Sequence, residues 1–230
     1  MISLRGHRAT VLACLAGGAA VALAFACHET GGPAACFEPN ATAYAYFLNG
    51  DTNLVFHWPA SYMPVRVYAE PTGSLPANVQ TAMALWTGAF RCHELSLTAT
   101  TDSTHADVIF RNPLSAPEAP PAARVMHVDS IGSCHGLTQF FTDSDTVALV
   151  GPMRSYVVAY PGVDSASAAA CFRIATTHEL GHALGLLAES PDGGDIMYST
   201  PSRSTLSEDD RFTIQLLYHA TSKLAPPPRQ

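Results

Sequence analysis

The sequence predicts an α+β fold, and three observations carry that prediction. Strand-like runs fill residues 63–160, broken by a single helical pattern. From Ser165 the residues become small and helix-forming and stay so to about Leu187. A last amphipathic helix is predicted over 206–220. With 230 residues the chain can bury one core of ordinary size, or at most two small lobes, and it has no internal repeats.

Taken in order, MPVRVYAEP (63–71) alternates apolar and polar residues, the period of a half-buried strand. Pro76 opens a helix whose Val79, Met83, Leu85, Trp86 and Phe90 recur at mostly three- and four-residue steps. LSLTAT (95–100) and ADVIFRN (106–112) are two further strands. PLSAPEAPPAAR (113–124) is a proline-rich exposed loop. GLTQFF (136–141), TVALV (146–150) and SYVVAY (155–160) follow as strands, the last two joined by a Gly-Pro turn. The long helix from Ser165 comes next. The last helix has Ser207 as its N-cap, acids in its first turn, and Phe212, Leu216 and Leu217 for its buried face. Residues 221–230, ending in LAPPPRQ, are expected to be a disordered tail.

The amino terminus has the order of an export signal. Arg5, His7 and Arg8 precede an apolar, small-residue run over 9–26, which ends Ala24-Phe25-Ala26. Residues 1–26 are therefore expected to be a signal peptide, and 27–62 a leader that packs onto the domain. Cys27, directly after the cleavage point, resembles the lipobox cysteine of bacterial lipoproteins, although Leu23 lies four residues before it where the box has leucine three before. Lipidated there, the chain would be tethered to a membrane; otherwise it would be secreted. Either way an exported protein of a bacterial cell envelope is expected.

Removing residues 1–26 takes away two arginines and no acids, leaving ten basic against 19 acidic side chains, a formal −9. That surface argues against nucleic acid or anionic lipid as a partner. Of six cysteines, Cys14 leaves with the signal and Cys27 is the lipidation candidate. Cys36, Cys92, Cys134 and Cys171 remain, an even number suited to two disulfides in an oxidising compartment. We expect Cys36–Cys92 and Cys134–Cys171. A cysteine zinc site is the weaker reading, because no C-x-x-C pair exists.

The chemistry concentrates in HELGHALGLLAES (178–190). On a helix His178 and His182 lie one turn apart on one face, so both imidazoles can reach one ion. Glu179 sits beside the first histidine, where a carboxylate can take a proton from a water activated by zinc. Gly185 is poor inside a helix and favoured at its end, where the chain needs a left-handed residue. Had the helix continued, later residues would move away at about 1.5 Å each. Stopping at Gly185 lets the chain double back with a third ligand.

H-E-L-G-H-A-L-G-L, followed by S-P-D and then D-I-M-Y, resembles the metzincin clan of zinc endopeptidases and is most similar to its matrixin-like bacterial members. The helix around ALW (84–86), the strand ADVIF (106–110) and the ending L-S-E-D-D with Gln215-Leu216-Leu217-Tyr218 extend the resemblance over 63–220. It implies a zincin fold: a mixed twisted sheet, an active-site helix, and a small C-terminal lobe holding a Met-turn and the final helix. Met197 matches the methionine of that turn, the apolar floor beneath the metal. The resemblance further implies bound zinc, a polypeptide substrate lying along an edge strand of the sheet, and Glu179 as general base. A monomer is expected, and no cysteine-switch motif is present.

This sequence departs from the clan at the third ligand. The usual spacing puts a histidine at position 188, which is alanine. In some bacterial relatives the histidine stands just before Ser-Pro, and that position is Glu189. Two histidines and a glutamate form an established catalytic zinc set. Glu189 is the expected ligand; Asp192, a ligand from elsewhere, or a degenerate site remain as alternatives. Two other functions stay open, a non-catalytic lipoprotein that keeps the fold for binding and an unrelated zinc hydrolase such as an amidase. His105-x-Asp107 and His127-x-Asp129 read as surface or turn residues, and Asp143-x-Asp145 as a solvated turn. Tyr198 reads as packing or a wall of the substrate cleft.

Overall fold

The computed structural model describes residues 55–112, 124–125, 129–143 and 148–219. The signal 1–26, Cys27, Cys36, most of the leader, His127, Asp145 and the tail 221–230 lie outside the described residues.

Among the described residues seven strands form one mixed sheet. Val65–Ala69 (β1) lies between Leu97–Thr100 (β2) and Val108–Arg111 (β3), parallel to both. Met153–Ala159 (β9) continues the parallel set beside β3. Cys134–Phe140 (β6) then runs antiparallel to β9. On the other side of β6, Arg124–Val125 (β4) and Asp129–Ile131 (β5) pair with it antiparallel. The order is β2-β1-β3-β9-β6-β4 with β5 also on β6, the mixed sheet expected. Thr142–Asp143 (β7) and Ala148–Leu149 (β8) form a separate pair. The described part of the expected strand 146–150 thus lies outside the main sheet, and its Leu149 N–H donates to the carbonyl of His57.

Leu75–Thr87 (α1) buries Leu75, Val79, Ala82, Met83 and Trp86. It stops before Phe90. Gly88 is a poor helix former, and the N–H groups of Ala89 and Phe90 reach back only three residues, to Trp86 and Thr87. Ser165–Ala183 (α2) starts at Asp164, whose carboxylate accepts from the N–H groups of Ala166 and Ser167. Its second half is buried on all sides from Ala175 to Ala183. Glu208–His219 (α3) is closed by a reciprocal cap: Ser207 Oγ accepts from Asp210 N–H and Asp210 Oδ2 accepts from Ser207 N–H. Its buried face is Asp210, Thr213, Ile214 and Leu217, whereas the expected Phe212 and Leu216 are half-buried. The helix is rolled so that Asp210 points inward.

The core lies between the sheet and these helices. Trp86 Nε1 donates to Thr177 O, which ties α1 to α2. The leader contributes more than a covering, because Val55, Phe56 and Trp58 enter the core and Trp58 Nε1 donates to Ala183 O at 2.9 Å. The expected disulfide Cys134–Cys171 is formed and joins β6 to α2. Closing a loop of that length stabilises by roughly 3–4 kcal/mol on chain-entropy grounds. Cys92 is also disulfide-bonded. Among the described residues no helix is long and apolar enough to cross a membrane.

Candidate metal centre

The end of α2 fixes the site. Gly185 adopts φ +113°, its N–H donates to His182 O, and Leu186 N–H donates to Gly181 O. This pair of bonds is a Schellman motif, which needs a left-handed residue at Gly185. Glycine is required there twice over, because a Cβ would overlap the carbonyl of Phe56. The chain therefore turns back at Gly185 instead of continuing along the helix axis.

That turn orients the imidazoles. His182 Nδ1 lies 2.6 Å from Leu186 O, and His178 Nδ1 lies 2.7 Å from Ile196 O. A carbonyl can only accept, so each Nδ1 carries a hydrogen, and a neutral ring then keeps a lone pair on Nε2. The two Nε2 atoms stand 3.0 Å apart, both fully buried. Two nitrogens at about 2.0–2.1 Å from one tetrahedral ion stand about 3.3 Å apart, so the donor pair fits zinc. Backbone carbonyls behind both rings are the usual outer support of metal-binding histidines.

Glu189 completes the group. Its Oε1 is 3.3 Å from His182 Nε2 and its Oε2 is 3.8 Å from His178 Nε2. Among the described residues His178, His182 and Glu189 are the cluster able to hold a metal. Neither Glu189 oxygen accepts a hydrogen bond, although both are shielded from solvent, which suits a cation as their partner. Asp192 is not part of the cluster; its Oδ1 accepts from Gly194 N–H and shapes an exposed turn. Ala188 packs against the core.

The segment carrying Glu189 is held against the turn at Met197. Ser190 N–H donates to Met197 O at 2.7 Å, and Ser190 Oγ donates to Asp195 Oδ2. Burial pushes the Asp195 carboxyl above its ordinary value, against the lowering effect of that hydrogen bond. Asp210 accepts from the N–H groups of Ile196 and Met197, so α3 sets the carbonyl that receives His178. Met197 is fully buried and lies under α2, where a Cβ at Gly181 would overlap its sulfur and crowd the Trp86 ring.

Glu179 is fully buried and faces β6. Its Oε2 accepts from Thr138 Oγ1 at 2.6 Å, and a Cβ at Gly136 would overlap the carboxylate. This strand is not a free edge of the sheet. β9 pairs along one side, and β5 and β4 pair along the other at 134–136 and 139–140. Only Leu137 and Thr138 lack a partner on that second side among the described residues.

The remaining candidates are held elsewhere. Asp107 forms a two-pronged pair with Arg66, while His105 pairs with Asp102, so these two residues do not converge. Thr104 and His105 hold the Asp102 carboxyl far below its ordinary range. Tyr198 is half-buried and packs near Gly193. Sequence reasoning missed Gly136, Thr138 and the role of Asp210. A lone glycine inside a strand marks a close approach, and that signal was available at Gly136.

Residues 121–219 match the family model described as Matrixin, a peptidase family whose members are zinc-dependent. No curated protein matches the chain. The matched segment covers the strands beside Glu179, both histidines, Glu189, Met197 and α3.

Proposed function

We propose that this matrixin-like metallopeptidase is an exported zinc-dependent endopeptidase in which His178, His182 and Glu189 hold the ion and Glu179 handles the proton. One observation supports it above the others. Two buried imidazoles, each with Nδ1 committed to a backbone carbonyl, present Nε2 to each other and to a carboxylate that accepts no hydrogen bond. Three protein ligands leave the open position that a catalytic zinc needs. Zinc bound there would supply Lewis acidity, lowering the pKa of water towards about 7 and polarising a carbonyl oxygen.

Glu179 does the proton work. As a carboxylate it takes a proton from the attacking water as the water oxygen bonds to the scissile carbonyl carbon. It then gives that proton to the amide nitrogen as the C–N bond breaks, leaving a carboxylate and an amine. Its burial excludes bulk water that would compete for the proton. The match to the Matrixin model supports a polypeptide substrate. Export is supported by Arg5 and Arg8, the apolar run 9–26 and the small residues before Cys27, which would be the tether if lipidated.

The test is the purified protein from residue 28 onward, assayed for zinc and for cleavage of an unfolded protein. Wild type should bind one zinc and lose activity to a chelator. Glu179→Ala should keep the zinc and lose about 100- to 10,000-fold in rate. Zinc without proteolysis in the wild type would favour a binding module, and activity surviving Glu179→Ala would remove the base.

A further inference from the structure

We infer that Thr138 is a positioning residue for Glu179, fixing the plane of the carboxylate from the neighbouring sheet. The inference deepens the peptidase reading and rests on it. Thr138 has one hydroxyl proton and three acceptors within reach: Glu179 Oε2 at 2.6 Å, Ser155 Oγ at 2.9 Å and Glu179 O at 3.2 Å. The shortest contact and the strongest acceptor are the same atom, so the proton goes to Oε2. Ser155 then donates to Thr138 Oγ1. Ser155 is the register partner of Thr138 across β6 and β9, so the sheet ladder holds this relay in place. All three residues are fully buried, and no solvent competes for the bonds.

Gly136 is the second, independent part of the arrangement. It lies two residues from Thr138 on the same strand face, and any Cβ there would overlap the Glu179 carboxylate. One face of β6 therefore leaves a space at Gly136 and supplies a donor at Thr138, both directed at one side chain of α2. A group that only needed its charge satisfied would require the donor but not the cut-out space. Together they hold the carboxylate to one position, which a proton shuttle between water and a leaving nitrogen requires.

The experiment uses Thr138→Val, which keeps the shape and removes the hydroxyl, with Thr138→Ser beside it. With the enzyme zinc-loaded, Thr138→Val should lower kcat by about 10- to 100-fold while KM and zinc content stay as in the wild type. Thr138→Ser should recover most of the rate. A second readout needs no activity. In thermal melting Thr138→Val should lower Tm more in the wild-type background than in Glu179→Ala, where the bond is already gone. If Thr138→Val does not fold, Ser155→Ala and Thr138→Ser are run in the same two backgrounds. Wild-type kcat in Thr138→Val, or equal Tm shifts in both backgrounds, would overturn the positioning role. A wild type without zinc-dependent cleavage would instead overturn the peptidase reading and leave the melting result to stand alone.

Discussion

The two ends of α2 are built by opposite means. The helix begins at an exposed residue, Asp164, whose carboxylate accepts from two N–H groups and the Ser167 hydroxyl within three residues. It ends inside the protein, at a glycine with φ +113° where a Cβ would run into the Phe56 carbonyl and the Leu217 side chain. The start is local and solvated, and it serves only the helix. The end is tertiary and buried, and it aims both histidines and sends the chain back towards Glu189. The arrangement of the candidate metal centre therefore comes from the way the helix stops.

Substitutions at each end should separate these roles. Gly185→Ala forces a Cβ into a left-handed residue and against a backbone carbonyl, at a cost of about 2–4 kcal/mol. For a domain of this size that lowers Tm by roughly 4–16 °C, and zinc affinity should fall with it, since Leu186 O no longer aligns His182. Intact zinc affinity in a destabilised Gly185→Ala would break the link between helix end and metal site. Asp164→Ala should have the smallest effect, a lower Tm with zinc content and kcat unchanged.

That smaller effect has a pH signature. Hydrogen bonds from Ser167 and Ala166 hold the Asp164 carboxyl below its ordinary value. A depressed folded-state pKa adds stability above the unfolded value of about 3.9, and the addition is lost as pH falls through the folded value. The Tm gap between wild type and Asp164→Ala should therefore be full at pH 7 and close in stronger acid. A gap that persists there would assign the cap's contribution to something other than the charged carboxylate.

The sequence was most legible where one element decides the outcome. The 3.6-residue period of α2 put His178 and His182 on one face, and Gly185 marked the turn because no other residue tolerates that backbone. Met197 was readable only through the resemblance that D-I-M-Y bears to the clan's Met-turn. Features made by two distant segments were not legible. Thr138 looks like any strand threonine until β6 is laid over α2, and Phe56 and Trp58 look irregular until α2 offers Ala183 O as an acceptor. β4 and β5 are too short for a periodic signal, yet they cover the edge of β6. The α3 face was misjudged because a buried aspartate, Asp210, overrides apolar periodicity when two backbone N–H groups need it.

The central claim is that Glu189 takes the place of the histidine missing at position 188, and zinc stoichiometry tests it most directly. Purified wild type, Glu189→Ala and Glu189→His are dialysed against a weak chelator, and bound zinc per chain is measured. The account predicts about one zinc in the wild type, a large loss in Glu189→Ala and retention in Glu189→His. Full retention of zinc by Glu189→Ala would contradict it.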